Sequence, residues 1–483
     1  MIPTLDTAAA RTLGDALRRV EYSEDSIEDE LGEDAWSTAL EDVPAHERRL
    51  GRGRLATAVR LFFLELPVAR HDAERALGTR GVGALERTGL ADVGEEVSPR
   101  ARIAPVGPLL LASDRLSTNP AEDPPDYVST YTPTARLCDL LTPRPQIVNA
   151  LDVGTGNGVH ALLAAAHSER VVATDVNPRA LAFTELNAAL SGITNVECRR
   201  GSLFEPVVGE RFELITCNPP YVVSPERRWT YRDTWLEGDE LSAQVTRETA
   251  AHLAEDGLAT MLVSWLARDP DAPDESVVDW LQNSGCDAWV LPVDEASPLE
   301  HAERWNAHLA SDGAAYGEVL DRWTAYLDQL GARVVTEGAV ILHRRPGRTT
   351  IRIDEIDEDE LEPADSQIRR AFAARAQLDG HDLLDARLAP ADALRVETQR
   401  RRGRVTAARV TLEAGTWPEL EVSAASADLV GALDGRRTLR ELLASREAVA
   451  ACRELLELGA LELRGFTSAP STRARSRRRA SSR

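Results

Sequence analysis

Ala150-Leu151-Asp152-Val153-Gly154-Thr155-Gly156-Asn157-Gly158 decides how the rest of this chain is read. Ile147, Val148, Ala150, Leu151 and Val153 form a short apolar run suited to a central parallel strand covered on both faces. Three glycines at alternate positions predict a sharp turn. A ligand lies directly against such a turn, because no Cβ stands in the way. A helix over residues 160–166 follows, with its unpaired N–H groups facing whatever occupies the turn.

Downstream, Val171-Val172-Ala173-Thr174-Asp175 reads as a second strand ending in a carboxylate. It lies about 20 residues past the turn, where a doubly wound sheet holds a ribose. The structural alternative for Asp175 is a helix cap before Pro178. Residues 195–199 fit a third strand ending at Gly201-Ser202-Leu203-Phe204. The fourth strand, residues 212–217, runs into Asn218-Pro219-Pro220-Tyr221. Residues 257–266 and 287–293 make a fifth and a sixth. Residues 331–345 are expected to supply an antiparallel pair turning at Gly338. The fold class expected is α/β: a seven-stranded doubly wound sheet, flanked at both ends by small α+β domains of winged-helix type.

Asp-x-Gly-x-Gly-x-Gly, a strand-end Asp and Asn-Pro-Pro-Tyr, in that order, resemble the class I S-adenosylmethionine-dependent methyltransferases. Gly-x-Leu-Phe-Glu-Pro over residues 201–206 and the tyrosine of Tyr221 resemble the release-factor glutamine methyltransferases among them. The resemblance covers only the central domain, about 200 residues by the motif span. It implies S-adenosyl-L-methionine as cofactor and no metal. The cofactor would be held by Asp152, Gly154, Thr155, Gly156, Gly158, Asp175, Ser202, Leu203 and Asn218. Asp152 would help hold the charged amino-acid part, and Asp175 would take both ribose hydroxyls. Ser202 stands where many relatives carry an aspartate facing the adenine. Asn218, Pro219, Pro220 and Tyr221 would form the acceptor loop. A carboxamide nitrogen is a poor nucleophile, since its lone pair is delocalised. Two fixed acceptors, the Asn218 side chain and the Pro219 carbonyl, would aim that lone pair, and Tyr221 would offer a flat face.

This motif does not separate a glutamine amide from an exocyclic base amine, because both are planar NH2 groups. A protein substrate, such as a release factor or a ribosome-associated protein, is one expectation; RNA or DNA is the other, and a non-catalytic cofactor-binding module is a third. The formal charge of −23 argues against a surface generally attractive to nucleic acid. Arg227, Arg228 and Arg232, just past the acceptor loop, are the local argument for RNA; a solvated surface is the plainer reading of them. All the basic residues are arginine, as a GC-rich genome would produce.

At 483 residues the chain is long enough for several domains. Its five scattered cysteines fit reduced thiols in a cytoplasm. No apolar run is long enough to span a bilayer, and no signal peptide is visible, so a cytoplasmic location with no membrane partner is expected. Residues 1–116 read as helices followed by a hairpin at 97–108. A linker at 119–127 and a segment at 131–134 then open the domain of residues 117–348. That segment either closes over the cofactor or simply caps a helix through Thr134. The aromatic helical insertion at 297–330 reads as core, or as a wall of the substrate groove. Residues 349–365 carry an acidic run expected to be a solvated tether. Residues 366–466 form a second small domain with helices at 427–433, 439–443 and 448–458. The Arg/Ser tail, 467–483, is expected to be disordered, free to touch RNA or merely to solubilise.

Overall fold

The computed structural model describes residues 3–32, 35–36, 42–117, 123–234, 236–347, 349–402 and 404–466. The tail and part of the expected linker (118–122) lie outside these. The chain divides into two compact units, Met1–Pro363 and Ala364–Arg483.

An eight-stranded sheet organises the first unit. Its strands are β1 (Ile147–Val153), β2 (Ser168–Asp175), β3 (Val196–Arg200), β4 (Phe212–Cys217), β5 (Leu253–Ala267), β6 (Cys286–Ala296), β7 (Val334–Arg344) and β8 (Ile351–Ile353). They lie in the order β8-β6-β7-β5-β4-β1-β2-β3. Strands β3, β2, β1, β4 and β5 are parallel, while β7 runs antiparallel to both β5 and β6. The chain leaves β1 toward β2 and later returns to β4 on its other side. The strand order therefore reverses between β1 and β4, which is where such sheets bind ligands.

Two expectations about this sheet are corrected. Residues 331–345 do not turn at Gly338; they form one continuous strand, β7. Gly338 is needed for close approach instead, since a Cβ there would stand 2.4 Å from the Leu291 carbonyl oxygen. Nor is the sheet seven-stranded: β8 pairs in parallel with β6 and adds an eighth strand. The acidic run that follows is tied down at its start, with Trp289 donating to Asp354 at 2.7 Å and the Ile356 amide donating to Pro292. Its alternating Ile351 and Ile353 pair with an apolar edge, which the charge pattern had hidden.

Helices connect and cover the strands: α1 (Pro133–Leu140), α2 (Val159–Ala164), α3 (Pro178–Ser191), α4 (Glu240–His252), α5 (Glu275–Leu281), α6 (Pro298–Asn306) and α7 (Gly313–Gln329). The N-terminal helix Thr7–Arg19 packs against α3, and their apolar residues share one buried cluster that includes Leu13, Leu17, Phe62, Phe183 and Leu186. Gly14 makes the crossing close: a Cβ there would sit 2.1 Å from the Leu190 carbonyl oxygen. Arg18 donates to that same oxygen, capping the end of α3. Between these lies Arg70–Thr88, broken at Gly78 by a left-handed φ of 75°. The hairpin expected over 97–108 is instead two hairpins. Ala91–Val93 pairs with Glu96–Pro99, and Arg102–Val106 pairs with Leu109–Ser113. No helix among the described residues is long and apolar enough to cross a membrane.

The second unit has its own core, including Leu383, Leu388, Val410, Leu439, Cys452, Leu455 and Leu461. Ala386–Pro390 pairs with Leu461–Phe466, and Leu394–Arg401, Arg404–Leu412 and Glu419–Val422 form a meander. Helices Asp365–Leu378, Ala424–Ala432 and Arg446–Glu457 pack on these strands. Residues 439–443, expected to be helical, form turns instead.

Candidate active site

Register in the sheet assembles the site. Val153 of β1 faces Thr174 of β2 on one side and Cys217 of β4 on the other. The next residue of each strand is therefore Gly154, Asp175 and Asn218. Neighbouring strands lie about 4.8 Å apart, so these three leave the sheet as adjacent positions. The glycine turn, the strand-end carboxylate and the acceptor loop thus meet at one edge.

Left-handed backbone shapes the turn. Gly154, Gly156 and Gly158 have φ of 69°, 57° and 89°. A Cβ on Gly154 or Gly156 would meet nothing within 4 Å, so both expose bare backbone to open space. Gly158 is different: a Cβ there would lie 2.8 Å from Thr184, so it serves packing against α3. The Gly154 and Thr155 amides both donate to the Thr174 carbonyl. Thr184 donates to the Gly156 carbonyl, and Asn187 to that of Asn157. Asn187 also exchanges hydrogen bonds with the Ala112 backbone, linking the N-terminal hairpin to the turn.

Asp152 is buried, and its oxygens face protein donors. Thr155 and the Ala161 amide donate to one oxygen at 2.6 and 3.1 Å, and Thr216 donates to the other at 2.8 Å. Here the carboxylate braces turn, helix and neighbouring strand together.

Asp175 accepts the Gly156 amide at 3.0 Å and the Asn177 amide at 2.8 Å, one on each oxygen. The helix-cap alternative for Asp175 falls away, since Asn177 caps α3 by accepting from Arg179. Burial pushes the Asp175 carboxyl up to about 6, and the Asn177 and Gly156 amides oppose that rise. Ser202 is exposed, and Leu203 adopts a left-handed φ of 47° with its carbonyl accepting from Thr174.

The acceptor loop is stiff on one side and open on the other. The Tyr221 amide donates to the Pro219 carbonyl at 2.8 Å, leaving that oxygen its second lone pair. Asn218 is half-buried, and its side-chain amide makes no hydrogen bond among the described residues. Burial holds the Tyr221 phenol well above its usual range, with the Glu337 and Glu358 charges adding to the effect. Tyr221 is therefore a neutral ring at working pH.

Several supporting residues carry no motif that would have revealed them. Asn157 donates to the Ser129 carbonyl and Asn177 to that of Asp126, fixing the 126–129 segment beside the turn. Arg179, itself buried, donates to the Asp126 carbonyl and pairs with Asp114. Thr132, not Thr134, caps α1. Behind the loop, Val222 packs with Ala302 and Trp323, and Val223 with Leu327. His301 contacts the Val223 carbonyl at 2.9 Å, and burial lowers its imidazole to about 4. Trp305 donates to Glu337 at 2.7 Å. Of the insertion's aromatics Trp323 is core while Trp305, Tyr316 and Tyr326 are half-buried, and the insertion backs the acceptor loop.

Neither reading of the three arginines survives whole. Arg232 is buried, paired with Asp233 at 2.8 Å and stacked 4.3 Å over Trp229. Arg227 donates to the Ser224 and Glu226 carbonyls, and Arg228 lies over Trp229. Arg232 and Arg227 fold the loop, whereas Arg228 is exposed and keeps its charge at the surface. A concavity of about 320 Å³ bounded by Gln146, Ile147, His167 and Glu213 lies at the amino ends of the strands, away from this edge. Ligand chemistry belongs to the carboxyl ends.

Residues 133–238 match the "Methyltransferase small domain" family, and residues 19–102 match a domain of unknown function. The chain is 35% identical over 126 residues to the release factor glutamine methyltransferase of Xylella fastidiosa, covering 24% of this chain and 46% of that protein. It is 47% identical over 79 residues to the corresponding enzyme of Deinococcus radiodurans, covering 16% and 28%. With the ribosomal protein uL3 glutamine methyltransferase of Bradyrhizobium diazoefficiens it is 29% identical over 168 residues, covering 31% and 52%. The chain thus spans about half or less of the length of these relatives. A solved methyltransferase from Pyrococcus furiosus is 16% identical, with a TM-score of 0.29 over 49% of this chain and 89% of that one. Residues 133–238 thus match a methyltransferase small domain, and this part of the chain is similar in sequence to release factor glutamine methyltransferases.

Proposed function

We propose that this chain is an S-adenosylmethionine-dependent N-methyltransferase whose acceptor is the side-chain amide of a glutamine in a protein substrate, such as a release factor or a ribosome-associated protein. One observation carries the reading: Asn218, whose side-chain amide has no partner among the described residues, leaves β4 beside the bare glycine turn that follows β1. The residues present fit the cofactor. Gly154 and Gly156 leave a cradle that a Cβ would enter, and each Asp175 oxygen keeps a lone pair for a ribose hydroxyl. Ser202 and Leu203 lie beyond β3, where the base would reach. The cofactor, when bound, supplies a methyl group on a positively charged sulfur.

This chain's own residues orient and exclude water. The Asn218 oxygen and the Pro219 carbonyl each accept one N–H of the planar NH2 group, turning its lone pair toward the methyl. Tyr221, kept neutral by burial, covers the flat face of the amide. No base of unusual pKa is needed, because the nitrogen becomes acidic once methylated and loses its proton to solvent.

Arg232 is buried and Arg227 half-buried, so of the three arginines past the acceptor loop Arg228 alone is exposed, which supports the amide over a nucleic-acid base as acceptor. We place the enzyme in the cytoplasm. The N-terminal region reads as a winged helix, since Val68–Ala69 and Ala91–Val93 flank Glu96–Pro99 in the manner of a wing.

Transfer of radiolabelled methyl into a cell extract tests the acceptor. Label removed by protease, resistant to nuclease and located on a glutamine by mass spectrometry is the expected result. Nuclease-sensitive label would move the acceptor to a nucleic acid, and an absence of label would leave a cofactor-binding module.

A further inference from the structure

We infer that the hairpin Leu394–Arg401/Arg404–Leu412 of the second unit is a nucleic-acid contact that grips the phosphate backbone through Arg400, Arg401 and Arg402. The inference is independent of what the active site methylates.

Three observations carry it. First, the hairpin projects. Residues 395–402 are all exposed, and the opposite strand becomes buried only at Ala408, Val410 and Leu412, where it joins the core. Second, the charges divide along its length. At the base, Arg395 pairs with Glu413 and Arg409 with Glu419. Toward the tip no acid pairs with Arg400, Arg401 or Arg402 among the described residues. Residues 395–404 hold five arginines and one glutamate, in a chain of net charge −23. Third, Arg402 turns the hairpin in a left-handed conformation, φ 51°, that an arginine adopts only at a cost of about 1 kcal/mol. Asparagine or glycine would make that turn more cheaply.

Protection of an edge strand against aggregation is the plainer use of charge. It accounts for charge as such along the open edge strand, where Arg395, Glu397, Arg400 and Arg401 all lie and where either sign would serve. It does not account for three consecutive unpaired arginines ending in a strained turn. Guanidinium groups on a narrow two-stranded arm suit phosphate oxygens spaced along a duplex, and their range is set by salt. Because the rest of the protein is acidic, such an arm would fix the orientation of any nucleic acid that binds.

Fluorescence anisotropy with labelled RNA and DNA duplexes of about 20 base pairs, titrated with the full chain at several salt concentrations, tests this. Arg400→Glu/Arg401→Glu/Arg402→Glu is expected to weaken binding at least ten-fold and to flatten the slope of log affinity against log salt by about 2 to 3. Circular dichroism should show the fold intact. A variant with the arginines of residues 467–483 replaced by serine separates the tail, and should keep the hairpin-dependent part. The RNA and DNA arms identify which duplex is preferred. Unchanged affinity in the triple variant, loss only in the tail variant, or equal binding of a polyglutamate peptide would overturn the inference.

Discussion

Val153 and Cys217 sit directly opposite each other on parallel strands, so Gly154 and Asn218 enter the same space from adjacent tracks. That relationship needs a sheet whose chain order reverses between those two strands, and it places a bare backbone beside an amide without a partner among the described residues. The predictions below follow from it and from the residues that hold it.

Gly156 and Gly158 should separate by experiment. Gly156→Ala puts a Cβ into open space at a φ of 57°, so it should cost about 1–2 kcal/mol of stability. Cofactor affinity should fall much further. Gly158→Ala drives a Cβ to 2.8 Å from Thr184 and should lower the melting temperature more than Gly156→Ala does. Calorimetry with thermal melts reads both, and the reverse order of stability losses would contradict these roles.

Asp175 sets a pH dependence. Its carboxyl is raised from 3.8 to about 6 in the folded chain, chiefly by burial. Between those values the folded state binds the proton and the unfolded state does not. Stability of the cofactor-free protein therefore has a component that declines as pH rises from about 4 to about 6. Ribose hydroxyls bind best to the ionised form, so cofactor affinity should move oppositely, falling as pH drops through about 6. Asp175→Ala should abolish that pH dependence along with most of the affinity. A flat profile in the wild-type chain would contradict the ribose assignment.

The Arg232–Asp233 pair should support the acceptor loop by folding it. Arg232→Met leaves Asp233 buried with the Arg228 and Trp229 amides and the Ser224 hydroxyl as donors but no cation among the described residues. A loss of about 3 kcal/mol is expected. Methyl transfer should fall with cofactor affinity little changed. If charge presented to a substrate were the role instead, transfer would fall with no change in melting temperature.

How far these features were legible depends on whether their causes are local. The strand–turn–helix at residues 147–164 follows from an apolar run and from glycines that tolerate positive φ, so it reads directly from the sequence. The same holds for Asn218-Pro219-Pro220-Tyr221, where proline restricts the backbone. Gly338 misled because a glycine for close approach looks like a glycine for turning until the facing Leu291 carbonyl is seen. The acidic run concealed β8, since its pairing depends on the β6 edge rather than on charge. Arg232 looked solvated because Asp233, Trp229 and Trp323 close around it only in three dimensions. Asn157, Asn177 and Asn187 act through carbonyls distant in the chain, and no spacing rule announces them.

Asn218→Ala, assayed in a single preparation for cofactor affinity by calorimetry and for methyl transfer into extract protein, tests the central claim most directly. Transfer should be abolished while affinity stays within a few-fold of the wild type. Equal loss of both, or transfer that persists, would mean that Asn218 does not hold the accepting nitrogen.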